Sequence, residues 1–342
     1  MSYQVFSGST KEIPKPAYGS FKAIGTSVEI LLTEISSIGH AIELVREQID
    51  ELDRTASRFR PDSELMKLCS MNASPAIVSP LLYELLTVAV RAFEITGGAL
   101  DPTVGRALIQ SGYDRDFSLI RDLNNQCNLN HPSVNSTNFG KGFGNFSNSE
   151  KRRISRDRLV PGIGALTLSP NTNLVYLTPG TLLDLGATAK AYAADKAAKS
   201  IVDSFGGGAL VSIGGDISIS GETLPGGFIV GVAERSGDFR GVDESLAMTS
   251  GGLATSGTLA RRWNNGQGEA HHIIDPSTGK PAHSPFRTVS VLARNCIDAN
   301  IASTAALIFG DKAQAWLEEF GLSARLVDNF GKVTYVGDWP RQ

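Results

Sequence analysis

The sequence has few cysteines and no excess of charge of either sign. Its three cysteines, Cys69, Cys127 and Cys296, lie far apart and form no C-x-x-C pair. This pattern favours reduced structural thiols over a zinc site or a thiol-exchange centre. The formal net charge is only -3. Without a basic patch, we expect neither nucleic acid nor an anionic membrane surface as a partner.

Long apolar runs are also missing. No stretch approaches the roughly 20 apolar residues of a membrane-spanning helix. The N-terminal stretch MSYQVFSGSTKEIPKP lacks the charged start and the apolar run of about 7 to 15 residues that are typical of a signal peptide. We therefore expect no membrane span and a cytoplasmic protein.

Glycine, in contrast, is abundant. The 36 glycines among 342 residues exceed the usual share of roughly 7%, which indicates many turns or close approaches of the backbone to a ligand. The chain is long enough for one large domain or two moderate ones.

The hydrophobic pattern alternates between helix and strand. Apolar residues at steps of three and four in 40–54, and the apolar stretch 81–98 that ends in Gly97-Gly98, predict helices. Strands are predicted at 20–33, with a glycine turn near its start, and at 209–221 and 286–293, and the stretch 174–186 predicts a strand followed by a turn. The strand at 209–221 consists of two halves that meet at Gly214-Gly215. This mixture predicts an α+β or mixed α/β fold. Residues 127–158 are rich in Asn, Ser and Gly and predict a long mobile surface loop.

One stretch combines small residues with a helix start. DLGATAKAYAADKAA, residues 184–198, would let an anion such as a phosphate approach the free amides at the start of the helix. The same small residues also suit an alanine-rich helix that packs tightly on a sheet. The stretch alone leaves both interpretations open.

Five further stretches are rich in small and polar residues. They are GALDPTVG (98–105), SIGGDI (212–217), LATSG (253–257), HHIIDPSTGKP (271–281) and IDANIASTAA (297–306). Singly, each has a structural explanation: Asp-Pro-Thr caps a turn or helix, Gly-Gly bends a strand, and His271 suits a surface position.

Together and in this order, these stretches resemble the ApbE family of flavin transferases. AIGTSVEI and SRFRPDSEL match as well, so the resemblance runs from about residue 22 to 335 and leaves only 127–158 unmatched. It implies an ApbE-like fold of mixed sheets with packed helices around a central flavin cleft, as a single domain over 1–342.

The resemblance implies an FAD:protein FMN transferase. Such an enzyme splits FAD at its pyrophosphate with Mg²⁺ and passes FMN to a Thr or Ser hydroxyl of an acceptor flavoprotein. Two alternatives stay open: an FAD pyrophosphatase that releases FMN and AMP, and a non-catalytic FAD-binding protein.

The resemblance also implies a set of site residues. His272 is expected to take the proton of the acceptor hydroxyl, for which its ordinary pKa near 6.5 is suited. Phe59 is expected to stack on a ring of FAD, and Asp101 to accept a hydrogen bond from an FAD hydroxyl. The remaining residues expected at FAD are Ile24, Ala99, Leu100, Asp184, Lys190, Asp216 and Thr255, the last two in the same cleft.

The implied metal site departs from the family pattern. The resemblance implies that three groups bind the metal: the backbone carbonyl of Ala187 and the side chains of Asn300 and Thr304. The family, however, has an aspartate at the position of Asn300. Because Mg²⁺ prefers carboxylate oxygens, we expect weaker metal binding. Asp298 lies about 200° away around the helix, so it cannot simply substitute, although at the helix start it is a candidate to reach the ion directly or through water.

Overall fold

The computed structural model describes residues 15–71, 75–120, 159–234, 242–266 and 268–340. The chain divides into two compact units. Unit 1 comprises Met1–Asp53, Gly186–Ala260 and His283–Gln342, and unit 2 comprises Arg54–Leu185 and Arg261–Ala282. The predicted loop at 127–158 and Cys127 lie outside the described residues, and a single domain over 1–342 stays a prediction.

Unit 1 is built on an eight-stranded antiparallel sheet with the order β1-β2-β6-β7-β10-β15-β16-β17. Its strands are β1 Ala17–Ala23, β2 Thr26–Leu32, β6 Gly208–Ile213, β7 Asp216–Gly221, β10 Gly251–Gly257, β15 Phe286–Ala293, β16 Ser323–Asp328 and β17 Val333–Val336. Four helices belong mainly to this unit: α1 Ile38–Ala56, α5 Ala189–Phe205, α6 Cys296–Phe309 and α7 Ala313–Glu319.

The two faces of this sheet are covered differently. Helices α5 and α6 pack on one face, against β6, β7, β10 and β15. The hairpin of β8 Phe228–Ala233 and β9 Val242–Met248 covers the other face through a shared apolar cluster. Successive side chains of a strand point to opposite faces, so Ile217 joins that cluster while Ser218 donates a hydrogen bond to Asp195 on α5.

Unit 2 combines short helices with small sheets. Its helices include α2 Glu64–Ser70, α3 Pro80–Ile95 and α4 Gly105–Gln110. The strands β3 Ala76–Ile77, β5 Leu174–Leu177 and β4 Leu166–Ser169 form one sheet, and two hairpins pair β11 Arg262–Asn264 with β12 Glu269–His271 and β13 Ile274–Asp275 with β14 Lys280–Pro281. Tyr113 and Trp263 anchor the apolar cluster that joins α4 to these hairpins.

The predicted fold class is confirmed, and one predicted element is wrong in detail. The stretch 20–33 is not one strand but the hairpin of β1 and β2, because Ile24 and Gly25 both have positive φ (42° and 72°) and reverse the chain. Gly214 and Gly215, with φ of 67° and 96°, likewise join β6 and β7 in a two-residue turn. Within the described ranges, no helix has the length and apolar character needed to cross a membrane.

Candidate functional site

Two hairpin turns lie side by side at one end of the large sheet in unit 1. The Gly214 amide donates to the carbonyl of Ser27 at 2.9 Å, which ties the β6–β7 turn to the start of β2. A β-carbon on Gly214 would lie 2.7 Å from Thr26 Oγ1, so only glycine fits there. Ile24 is a β-branched residue held in the left-handed region, a backbone outlier of the kind that clusters at functional sites.

A pocket of about 110 Å³ opens beside these turns, on the face of the sheet that carries β8 and β9. Thr255 lines it, and its hydroxyl lies 2.8 Å from Ser290 Oγ. The other lining residues are Glu29, Ser212, Gly214, Gly215, Ile217, Gly231, Ala233, Glu234, Leu253, Gly257 and Ala260. The strands of the large sheet thus give the pocket the polar side chains of Glu29, Ser212 and Thr255 beside apolar ones, and Glu29 is a buried carboxylate.

The opposite face of the same strands carries a second polar group of residues. Asp216 alternates with Ile217 and so faces α6, where Asn300 Nδ2 donates to Asp216 Oδ1 at 2.9 Å. Ser256, next to Thr255, contacts Thr304 Oγ1 of the same helix at 2.8 Å. Thr255 and Asp216, which were expected in one cleft, thus lie on opposite faces of the sheet.

The start of α6 is fixed by a carboxylate from α5. Asp195 Oδ1 accepts from the Cys296 amide at 2.9 Å and from Ser218 Oγ at 2.6 Å, and Asp195 Oδ2 accepts from the Ile297 amide at 3.0 Å. Burial raises the pKa of Asp195. These bonds join α5, α6 and β7, and they hold Asn300 and Thr304 at their places.

Asp298 lies in the first turn of α6 and faces the helix start. Asn295 Nδ2 donates to Asp298 Oδ2 at 3.0 Å, and Asn295 Oδ1 accepts from the Asp298 amide at 2.7 Å. Asn295 is thus the N-cap of α6, and one carboxylate oxygen of Asp298 accepts from its side chain. A contact of Asp298 with a metal stays a prediction.

Of the residues predicted around the start of α5, Ala187 and Lys190 are also in unit 1, whereas Asp184 is in unit 2. Ala187 precedes the helix, and Lys190 Nζ donates to the carbonyl of Gly186 at 3.3 Å. The anion predicted at this helix start stays a prediction, as does the contact of Lys190 with FAD.

The oxygen donors predicted for a metal fit a hard cation in kind. Asn300 is only 8% exposed, and its Oδ1 has no hydrogen-bond partner among the described residues. Asn300 and Thr304 lie four residues apart and so share one face of α6. The described ranges contain no group of three or more His, Cys, Asp or Glu that could hold a metal, so any site here would use mainly neutral oxygens.

In unit 2, a buried arginine contacts two of the predicted FAD residues, Asp184 and Phe59. Arg58 Nε donates to Asp184 Oδ2 at 2.7 Å, and both side chains are largely buried. The guanidinium carbon lies 4.5 Å from the centroid of the Phe59 ring and 5.3 Å from that of Tyr113. Phe59 and Tyr113 meet edge to face at 5.3 Å.

Three residues of the cluster around Arg58 were not predicted from the sequence: Arg58 itself, Tyr113 and Trp263. Trp263 stacks on Tyr113 at 5.3 Å and donates through Nε1 to the carbonyl of Ser111 at 2.7 Å. The signal for Arg58 was present, since it precedes Phe59 within SRFRPDSEL. Its Nη1 and Nη2 atoms are buried and have no hydrogen-bond partner in the part of the chain that the structure describes.

Asp101 caps a short helix. Its Oδ1 accepts from the Thr103 amide at 2.8 Å and from Thr103 Oγ1 at 2.7 Å, at the start of the 3₁₀ turn Pro102–Val104. Ala99 and Leu100 precede it and are buried. The Asp184 amide donates to the Pro102 carbonyl at 2.8 Å, which places this turn beside Asp184. Contacts of Ala99, Leu100 and Asp101 with FAD stay predictions.

The two adjacent histidines have different surroundings. His271 Nε2 lies 3.0 Å from the Ala282 carbonyl, and the Ile273 amide donates to His271 Nδ1 at 3.3 Å. These two contacts require the neutral ring, protonated at Nε2. Burial lowers the pKa of His271. The ring of His272 meets Tyr113 edge to face, with 6.5 Å between centroids.

Comparison with known proteins gives one consistent result. Residues 24–326 match the model of the ApbE family. The chain is 25% identical over 297 residues to the FAD:protein FMN transferase of Escherichia coli K12, covering 84% of this chain and 77% of that protein. It is 28% identical over 299 residues to the FAD:protein FMN transferase of Treponema pallidum, covering 82% and 74%.

Solved structures agree on the fold. The ApbE protein of Thermotoga maritima superimposes with a TM-score of 0.74 and 24% identity, covering 94% of this chain and 97% of that one. The flavin transferase ApbE of Vibrio cholerae gives a TM-score of 0.71, also with 24% identity and the same coverage.

Proposed function

The chain belongs to the ApbE family, and from this premise we propose that it is an FAD:protein FMN transferase. The observation that carries the proposal is that every residue predicted for the site, from Ile24 to Thr304, lies within the matched range 24–326. The curated relatives that bear this name support it. The acceptor we propose is a flavoprotein with a Thr or Ser hydroxyl, and a cytoplasmic location stays a prediction from the sequence.

The proposed reaction is a phosphoryl transfer. The hydroxyl oxygen of the acceptor attacks the phosphorus on the FMN side of the FAD pyrophosphate. The bond from that phosphorus to the bridging oxygen breaks, and AMP leaves with the electron pair while FMN becomes a phosphoester of the acceptor. Such transfers depend mainly on positioning and on neutralisation of charge.

His272 is proposed as the base for the acceptor hydroxyl. Its ring packs against Tyr113, and the neighbouring His271 is held by two backbone contacts. These contacts fix the backbone from which His272 projects, so its ring needs little reorganisation to reach a hydroxyl.

Other residues are proposed to hold the substrate and its charge. Ala187, Asn300 and Thr304 would hold Mg²⁺, which supplies charge neutralisation at the pyrophosphate. Phe59 would stack on a ring of FAD. Arg58 joins the proposed binding residues, because its two buried Nη groups suit acceptor oxygens of the nucleotide.

Asn300 favours a second candidate function. Where the family has a carboxylate, this chain has a neutral amide, and a protein that binds FAD without turnover would tolerate that loss. Hydrolysis to FMN and AMP, with water in place of the acceptor hydroxyl, stays a third outcome of the test.

The test is to incubate purified protein with FAD and MgCl₂, with and without co-purified candidate flavoproteins, and to follow AMP release and acceptor mass. The proposed function predicts AMP release only with an acceptor, together with a mass gain of one FMN. Both should be lost in His272→Ala, while His271→Gln serves as the matched control. AMP release without any acceptor would establish hydrolysis instead. Tight FAD binding with no release under either condition would establish a binding protein.

A further inference from the structure

We propose that Asp216 prepares Asn300 as a ligand of a divalent cation and supplies the negative charge that position 300 lacks. This inference rests on the proposed function, because the cation is the one that the transfer requires. Asp216 is a positioning residue here, acting through the Asn300 amide.

Asp216 fixes the orientation of the Asn300 side-chain amide. Asn300 Nδ2 lies 2.9 Å from Asp216 Oδ1, and both residues are buried, at 8% and 4% exposure. A carboxylate only accepts hydrogen bonds, so the amino end of the Asn300 amide must face Asp216. The oxygen end then points away from Asp216. Had the amide been flipped, two acceptors would face each other at this distance.

This orientation makes the side-chain oxygen of Asn300 available to a cation. Asn300 Oδ1 is buried and has no hydrogen-bond partner among the described residues. A buried acceptor without a partner loses the hydrogen bonds that water would give it, which destabilises the fold. A hard cation satisfies such an oxygen, since amide carbonyls are among the ligands of Mg²⁺ and Ca²⁺.

Thr304, one turn further along α6, supplies the second oxygen of the proposed site. Ser303 Oγ donates to the backbone carbonyl oxygen of Asn300 at 3.1 Å, which uses the only proton of the Ser303 hydroxyl. Ser256 Oγ, 2.8 Å from Ser303 Oγ, must therefore donate to Ser303. Thr304 Oγ1, 2.8 Å from Ser256 Oγ, must then donate to Ser256. This proton order leaves the lone pairs of Thr304 Oγ1 for a cation.

The proposed cation site needs a negative charge close to its two neutral ligands. Asn300 and Thr304 are neutral ligands, and a neutral oxygen pair holds a divalent ion weakly. The other nearby carboxylates are engaged at the start of α6: Asp195 accepts two backbone amides, and Asp298 faces Asn295. Asp216 is one hydrogen bond from the ligand, the position from which outer carboxylates orient a ligand and tune a metal.

The experiment is a titration of the protein alone with Mn²⁺, followed by the EPR signal of the free ion, with FAD and acceptor left out. Asp216→Asn keeps an oxygen that can accept from Asn300 but removes the charge. We expect it to weaken Mn²⁺ binding by about 10- to 100-fold, as loss of an outer carboxylate does elsewhere. Asp203→Asn, an exposed carboxylate on α5 paired with Lys199, should bind like wild type.

A second variant guards against simple loss of folding. Asn300→Asp in the Asp216→Asn background returns one carboxylate to the pair and should restore the Mn²⁺ affinity. Unchanged binding in Asp216→Asn, loss of binding in Asp298→Asn instead, or no binding by wild type would each overturn the inference. Because the titration contains no FAD, an Asp216-dependent affinity without FMN transfer would reject the proposed function alone. Transfer that persists with an Asp216-independent affinity would reject this inference alone.

Discussion

Ile24 holds a backbone conformation that its side chain disfavours. A β-branched residue in the left-handed region costs about 1–3 kcal/mol, and Ile24 has φ of 42°. Asparagine tolerates this region far better. The turn needs the conformation, since β1 and β2 pair directly up to Ala23 and Thr26. The isoleucine is therefore retained at a cost, which agrees with its predicted place at the flavin.

Ile24→Asn is expected to stabilise the protein by about 1 kcal/mol and to weaken FAD binding. The stability gain should appear as a higher urea midpoint, and the weaker binding as a right-shifted fluorescence titration with FAD. Lys22→Asn, an exposed change in the same hairpin, should alter neither. A lower midpoint for Ile24→Asn would contradict the strain argument.

His271 makes the stability of the protein depend on pH. Its pKa is lowered by burial, and Nδ1 must stay unprotonated to accept from the Ile273 amide. A group whose folded pKa is depressed contributes stability above its unfolded pKa of about 6.5, and this stability is lost as pH falls through the folded value.

We therefore expect wild type to lose more unfolding free energy than His271→Gln between pH 7.5 and pH 5. Glutamine can still donate to the Ala282 carbonyl but does not titrate, so the difference between the two proteins isolates His271 from the other histidines. Urea unfolding at both pH values measures it. Parallel losses in the two proteins would show that His271 does not titrate in this range.

Asp195 joins three elements of unit 1 through one side chain. It accepts from two amides at the start of α6 and from Ser218 of β7. Asp195→Ala would leave buried donors unsatisfied, and we expect a loss of about 2–4 kcal/mol in unfolding free energy. Hydrogen exchange should quicken at the amides of Cys296 and Ile297. Asp203→Ala, exposed on the same helix, should change neither quantity; protection kept in Asp195→Ala would refute this role.

Local chemistry explains which elements the sequence predicted. Helix α3 follows from its apolar stretch and its glycine stop. The pairs of β8 with β9 and of β16 with β17 were not predicted. The hydrophobic pattern of these strands becomes recognisable only with the large sheet in place, because β8 and β9 pack on it and β16 and β17 belong to it. The sequence predicted a glycine turn near the start of 20–33 but not a full reversal into two paired strands, because isoleucine is a poor signal for a reversal.

The site shows the same boundary between local and distant information. The motifs identified Phe59, Asp184 and Asn300 by position, but their partners come from distant parts of the chain. Arg58 meets Asp184 across 126 residues, and Asn300 meets Asp216 across 84. The family resemblance therefore predicted Asn300 as a weaker ligand and gave no hint of the carboxylate beside it.

The residues predicted to contact FAD come from both compact units. Lys190 belongs to unit 1, and Phe59 to unit 2. With a net charge of only -3, the molecule has no strong overall field to attract an anionic dinucleotide. We therefore expect FAD affinity to come from local contacts, and the predicted ones are the Lys190 ammonium with a phosphate and the Phe59 ring with a flat ring system.

This predicts that one substitution in either unit reduces the stabilisation of the whole protein by FAD. A ligand at 100 times its Kd adds about 2.7 kcal/mol, so a tenfold weaker Kd removes about 1.4 kcal/mol of that gain at the same FAD concentration. Lys190→Ala and Phe59→Ala should each cause a loss of this size, read as a smaller rise in melting temperature with FAD. Lys199→Ala, an exposed lysine on the same helix as Lys190, should keep the full rise. If Phe59→Ala kept the full rise in melting temperature while Lys190→Ala showed a smaller rise, the stacking role proposed for Phe59 would be wrong.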